Sequence, residues 1–264
     1  ALPISGEVMF DRFFLVVVLI IVAMPLKAAE DLSSSIYSVN VPEGTLNMVQ
    51  EVLAESIDRS QTAFVSEATS PDIHLLEEAE VSITFLMEGA GYKNTFGYFT
   101  YDDDLNILSE QVVFNNSSAT GSGGNLNQGD SVDLGTFEAG TNIGFWVTAN
   151  GYNNPNGRTY YSIDSLNPDG ERHIAVIGDP ANEQVVIGFE DIYRLGDRDY
   201  NDVVFTYTAT PWEAIDLSQI PAGTPEPSEN AILFMTGVLA VIYLYRQRRR
   251  LRLPQLLTPR LAYA

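Results

Sequence analysis

From Glu80 onward the hydrophobic residues recur with a period of two, and that alternation limits the chain to a sheet of short strands. Val81, Ile83 and Phe85 alternate with Ser82 and Thr84, the pattern of a strand with one buried face. Similar stretches follow at Phe96 to Tyr101, Ile107 to Phe114, Val132 to Phe137, Ile143 to Ala149 and Thr159 to Ser162. The series continues with His173 to Ile177, Val185 to Phe189 and Val203 to Thr208. Between them, stretches such as Asn115 to Gly129 and Asn153 to Gly157 carry the Gly, Asn and Pro residues that favour turns. No helical period intervenes, and parallel neighbours would need long crossovers, so the strands must run antiparallel. The expected fold class is all-β: an antiparallel, jelly-roll-like β-sandwich over residues 78–210. The 13 tyrosines and 13 phenylalanines suit its core, and no fixed repeat points to a solenoid or propeller.

Residues 30–77 differ in kind. Leu46, Val49, Leu53 and Ile57 fall at helical spacing, with Glu51 and Glu55 opposite, after Pro42 and Gly44. One amphipathic helix is predicted there, packed on the edge of the main domain. His74 falls in a linker.

Charge narrows the partners. The 264-residue chain has a formal net charge of −21. Within residues 30–224 the acids number 35 − 4 = 31 and the bases 14 − 8 = 6, a net of −25. A body this acidic repels phosphates and attracts cations, which excludes nucleic-acid binding. Cysteine is absent, so neither a disulfide nor a thiolate site is available.

The densest chemical signal lies between Ile187 and Phe205. If the strands on either side pair as a hairpin, Glu190 and Asp191 stand at one strand end beside Asn201 and Asp202, and the loop adds Asp197 and Asp199. Arg194 and Arg198 offset only part of that charge, and Gly196 is expected to allow the sharp turn. Like charges this close raise one another's pKa or require a counterion. Calcium takes six to eight oxygens in irregular geometry and is the expected cofactor. The spacing of Asp197, Asp199 and Asn201 opens like an EF-hand loop, but Thr208 stands where the bidentate Glu should be, so this is a different acidic loop. The alternative is a solvated tip whose side chains cap turns. Asp169 joins the site if the strand after His173 neighbours the hairpin; otherwise His173 is a strand-end residue bonded to a backbone carbonyl. Asp102, Asp104 and Asn106 form a weaker second group, read as a solvated turn with few ligands.

No enzymatic site is expected. His74 and His173 are the only imidazoles, and no nucleophile elbow, phosphate-cradling loop or HExxH is present. A glycosidase-like carboxylate pair is a matter of geometry alone. A carbohydrate-binding module is the alternative to a structural one, and would show as exposed aromatics, with Trp146, Tyr152, Tyr160 and Tyr161 the candidates.

The two ends carry addresses. Phe13 to Met24 is an apolar run behind Arg12 and ahead of Ala28 and Ala29, the layout of a secretory signal peptide, with Met9 read as the start. Near the other end, Pro225, Glu226 and Pro227 precede the apolar stretch Ala231 to Tyr245 and a basic cluster that includes Arg248, Arg249 and Arg250. As a helix, residues 231–245 would be about 22 Å long, short of the roughly 30 Å hydrocarbon core. Pro-Glu-Pro, apolar helix and arginines in that order resemble the PEP-CTERM sorting signal. The resemblance implies export, recognition by an exosortase-type membrane peptidase, transient or permanent anchoring in the inner membrane by the C-terminal helix, and association with exopolysaccharide or another glycan.

The body has its own resemblance. Val81 to Phe85 running into Glu88-Gly89-Ala90-Gly91-Tyr92-Lys93-Asn94, the turn Leu166 to Gly170 with His173 after it, and Gly188 to Asp191 followed by Asp197 to Asp202 together resemble a bacterial β-sandwich catalogued as domain of unknown function 4114. The resemblance covers residues 80–208 and implies a secreted, cation-binding module. The expected function is that of an exported cell-surface or matrix protein with a non-catalytic, calcium-binding, structural or adhesive sandwich.

Overall fold

A computed structural model describes residues 32–66 and 68–223, together with Tyr243. The expected signal peptide, Pro225, Glu226, Pro227, the apolar stretch and the arginine cluster lie outside the described residues, apart from Tyr243. Among the described residues no helix is long and apolar enough to cross a membrane.

Two antiparallel sheets form the fold. The larger contains β1 (Tyr37–Ser38), β3 (Ala79–Met87), β6 (Asp130–Phe137), β9 (Ile174–Asp179), β10 (Gln184–Phe189) and β11 (Val203–Thr210), in the order β1-β6-β3-β11-β10-β9. The smaller contains β2 (Ile73–His74), β4 (Thr95–Tyr101), β5 (Ile107–Phe114) and β7 (Asn142–Thr148), in the order β2-β7-β4-β5, with β8 (Thr159–Tyr161) also paired to β7. Every strand read from the alternation is present. The two-residue strands β1 and β2 were not foreseen, and His74 lies in β2 rather than in a linker.

The sheets close on an aromatic core. Phe96 of the smaller sheet stacks on Phe205 of the larger at 3.9 Å and meets Phe189 edge-on at 6.2 Å. Phe145 and Tyr207 stack across the same gap at 5.5 Å. Such pairs contribute beyond their buried area, about 0.5–1.5 kcal/mol each.

The larger sheet buries its other face too. There α1 (Glu43–Val52) sets Met48, Val49, Val52 and the following Leu53 against Ala175, Ile177, Val186 and Val204. The alternate residues Ile174, Val176, Val185, Ile187, Val203 and Phe205 face the inter-sheet core. Burial on both faces is why β9 and β10 carry nearly continuous apolar runs. The helix therefore lies on a sheet face, not on the edge of the domain. It also ends at Val52, so Ile57 is off its apolar stripe and 46% exposed.

Residues 211–222 run along the sandwich. Leu75 bridges Ile215, Gly178 bridges Ala222, and Ala214 and Ile215 are core residues.

Candidate metal centre

The last rung between β10 and β11 is Phe189 opposite Val203, so Glu190 and Asp202 are the first residues beyond the ladder and residues 190–202 form the tip. Its backbone is strained. Arg194, Leu195, Arg198 and Tyr200 all take the left-handed conformation, at φ of 69°, 59°, 65° and 59°. Non-glycine residues adopt it at a cost and keep it only where their surroundings enforce it. Gly196, expected to make the turn, is not among the positive-φ residues. The anchors are Leu195 and Tyr200, both buried. The Tyr200 ring belongs to the apolar layer under α1, and its hydroxyl donates to the Arg172 carbonyl at 3.2 Å.

The predicted ligands fall into two groups. In the first, carboxylate oxygens of Asp197 and Asp199 gather with one of Glu55, all within 4.8 Å of one another. The Ser56 N–H donates to Asp199 Oδ2 at 2.6 Å and the Asn201 N–H to Asp199 Oδ1 at 3.2 Å. The Asn201 amide donates to Leu53 O at 3.3 Å and to Glu55 Oε2 at 3.4 Å. Burial pushes the Asp199 carboxyl above the usual range against those two N–H bonds, and the charges of Asp197 and Glu55 add to the rise.

Glu190 adjoins this group and is 1% exposed. Its Oε1 accepts the Tyr200 N–H at 3.0 Å, whereas its Oε2 has no hydrogen-bond partner. Burial, with Asp199 and Asp197 adding their charge, pushes Glu190 up to about 7.

The second group centres on Asp191 and Asp202. Asp202 Oδ2 accepts the Asp191 N–H at 2.8 Å, and Asp191 Oδ2 accepts the Asn94 amide at 2.6 Å. Burial raises both carboxyls, and the charge of Asp191 raises Asp202 further. Glu88 is also raised by burial, with a contribution from Asp191. The loop after β3 is seated directly on the tip. The Gly89 N–H donates to Asn201 O at 3.1 Å, and a Cβ at Gly89 would stand 2.5 Å from Asn201 Oδ1.

Asp169 reaches the tip but is engaged elsewhere. Its Oδ2 accepts the Arg194 N–H at 2.7 Å, and both its oxygens lie 3.2 Å from His173 Nε2. Although burial opposes it, these bonds hold the Asp169 carboxyl below its usual range. His173 is fully buried, with Nδ1 2.8 Å from Glu190 O and its ring stacked on Tyr160 at 3.9 Å.

The arginines do not offset the tip as expected. Arg194 lies over the Tyr193 ring at 5.6 Å, and Arg198 reaches Asp58 at 3.9 Å. Among the described residues no ion pair joins a cation to Glu190, Asp191, Asp197, Asp199 or Asp202.

The donor set is oxygen-rich and lacks sulfur, which suits a hard divalent ion. Glu55, Glu88 and Asn94 escaped the sequence reading. Glu55 looked like the wet face of a helix, and nothing local in the chain marks its approach to Asp199. The aromatics proposed as a sugar platform do not form one: Trp146 is 7% and Tyr160 1% exposed, and only Tyr152 stands well out.

Residues 137–210 match the family model described as Domain of unknown function (DUF4114). No curated protein matches the chain, and no solved structure matches it. The matched stretch runs from the last residue of β6 to the last of β11 and takes in the whole tip with Asp169 and His173, while Glu55, Glu88 and Asn94 reach the site from outside it.

Proposed function

We propose that the β10–β11 tip binds calcium, and that the sandwich is a non-catalytic structural or adhesive module of an exported protein of the cell surface or exopolysaccharide matrix. One observation carries the metal: a buried glutamate oxygen, Glu190 Oε2, has no partner beside the converging carboxylates of Glu55, Asp197 and Asp199. A buried acceptor left unpaired costs about 1–3 kcal/mol, and more when charged. A divalent ion held by the cluster would neutralise the charge of Asp197 and Asp199 that bears on Glu190. Export and delivery rest on the resemblance of the two chain ends to a signal peptide and a PEP-CTERM signal, with an exosortase-type peptidase as the processing partner.

The test is a thermal melt of the full chain in calcium and again in EGTA. Calcium should raise the midpoint of the wild type. Asp199→Ala combined with Asp202→Ala should abolish that increment, whatever the double substitution does to the calcium-free midpoint. An increment retained in the double variant shows that these are not the ligands.

A further inference from the structure

Beside the tip a cavity of about 280 Å³ opens to solvent. This is near the lower end of the roughly 300–1,000 Å³ typical of small-molecule sites. Three segments converge on it: Tyr92 from the loop after β3, Arg158 and Tyr160 from the start of β8, and Asp191 with Tyr193 from the tip. Tyr92 and Tyr193 stand 46% and 38% exposed, while Tyr160 and Asp191 are buried. The Arg158 guanidinium lies over the Tyr193 ring at 4.8 Å, which fixes both side chains at the rim.

We infer that this cavity is a binding site for a neutral saccharide. The argument is one of matching chemistry. Asp191 presents carboxyl oxygens as acceptors, and the one bond from the Asn94 amide leaves acceptor capacity there. Arg158 only donates, and Asn154, whose Oδ1 is taken by the Asn156 N–H, has amide hydrogens to donate. A ligand that fits must therefore donate on one side and accept on the other, which a hydroxyl does with a single group. The exposed Tyr92 ring asks for an apolar face on the same ligand, and a pyranose offers its C–H face beside its hydroxyls. Charge narrows the class further. The acidic body repels an anion, and Arg158 opposes a cation at the rim. The cavity shares Asp191 with the second carboxylate group, but Tyr92, Tyr193 and Arg158 belong to neither group, so calcium at Glu55, Asp197 and Asp199 is a separate question.

The test uses the labelled full chain on a glycan array, followed by competition with the free monosaccharide of the strongest hit. Binding should be saturable and competed. Tyr193→Ala should weaken it roughly tenfold through loss of the ring that seats Arg158 at the rim, whereas Tyr193→Phe should stay within about twofold. Arg158→Ala should weaken it as well. The inference is overturned if folded protein retains no glycan, if Tyr193→Ala and Arg158→Ala bind like wild type, or if only polyanionic glycans or peptides are retained. Melting the same samples in calcium and EGTA separates the two readings: a calcium-stabilised protein that ignores the array loses the saccharide site alone.

Discussion

Two acidic turns of this chain look alike in sequence and behave in opposite ways. The turn between β4 and β5 carries Asp102, Asp103, Asp104 and Asn106; the tip between β10 and β11 carries Asp197, Asp199, Asn201 and Asp202. At the first, Asp102 Oδ1 accepts the N–H groups of Asp104 and Asn106 at 3.0 and 2.9 Å, and the Asn106 amide adds further bonds. Those bonds hold the exposed Asp102 carboxyl below the usual range. At the tip, burial dominates and Glu190, Asp191, Asp199 and Asp202 are all raised. Local density of Asp is thus a poor sign of a metal centre. What distinguishes the tip is that Glu190, Asp191 and Asp199 are withdrawn from water, while Asp197 stays exposed, and that carboxylates from distant segments join them.

The sharpest way to break this comparison uses two residues with nearly the same backbone conformation. Tyr200 and Leu105 have φ of 59° and 63°, but Tyr200 is fully buried and Leu105 is 43% exposed. Tyr200→Ala should cost about 3–5 kcal/mol in urea unfolding, as large-to-small core changes do. Leu105→Ala should stay within about 0.5 kcal/mol. Similar costs at both positions would mean that the tip is not anchored in the layer beneath α1.

Calcium comes next. At a hundredfold excess over Kd, linkage predicts about 2.7 kcal/mol of added stability for the wild type. Asp102→Ala should leave that gain intact, since the β4–β5 turn satisfies its own groups. Loss of the gain in Asp102→Ala would move the site to the wrong turn.

Acidity separates the turns by sign. Glu190 is raised from 4.5 to about 7, so its contribution to the metal-free fold is fully present below pH 4.5 and lost as pH rises through 7. In EGTA the midpoint should therefore fall as pH rises from 4.5 to about 7, and calcium should restore it at the upper end. Glu190→Gln should reduce that dependence, leaving the part owed to Asp191, Asp199 and Asp202. Asp102 has the opposite sign: its lowered carboxyl contributes above the usual Asp value and loses that contribution as pH falls through its folded pKa. The smallest effect expected is the loss of midpoint in Asp102→Ala at neutral pH, detectable only as a slight shift in the melting curve.

Much of the sandwich was legible because a strand with one buried face writes its period into the chain. Ile107–Phe114 appears with the expected ends, and Val81, Ile83 and Phe85 face the core as alternation requires. β1 and β2 were illegible because two residues carry no period; their neighbours β6 and β7 create them. The helix was legible as a helix, but its seat on a sheet face was not, since a doubly buried strand such as Ile174–Asp179 resembles a singly buried one with chance apolar residues. At the tip, the carboxylates from Glu190 to Asp202 were visible as a local cluster. Their division into two groups was not, nor was Glu55, because both depend on how distant segments cross. Arg194 and Arg198 misled for a related reason: adjacency suggested compensation, yet one packs on Tyr193 and the other reaches Asp58.

The most direct test of a cation-dependent tip is a calorimetric calcium titration of the full chain after chelator treatment. The wild type should bind calcium saturably, Glu55→Ala combined with Asp199→Ala should lose that binding, and Asp102→Ala combined with Asp104→Ala should keep it. Binding unchanged by the first pair and lost with the second, or no binding by the folded wild type, would contradict the account.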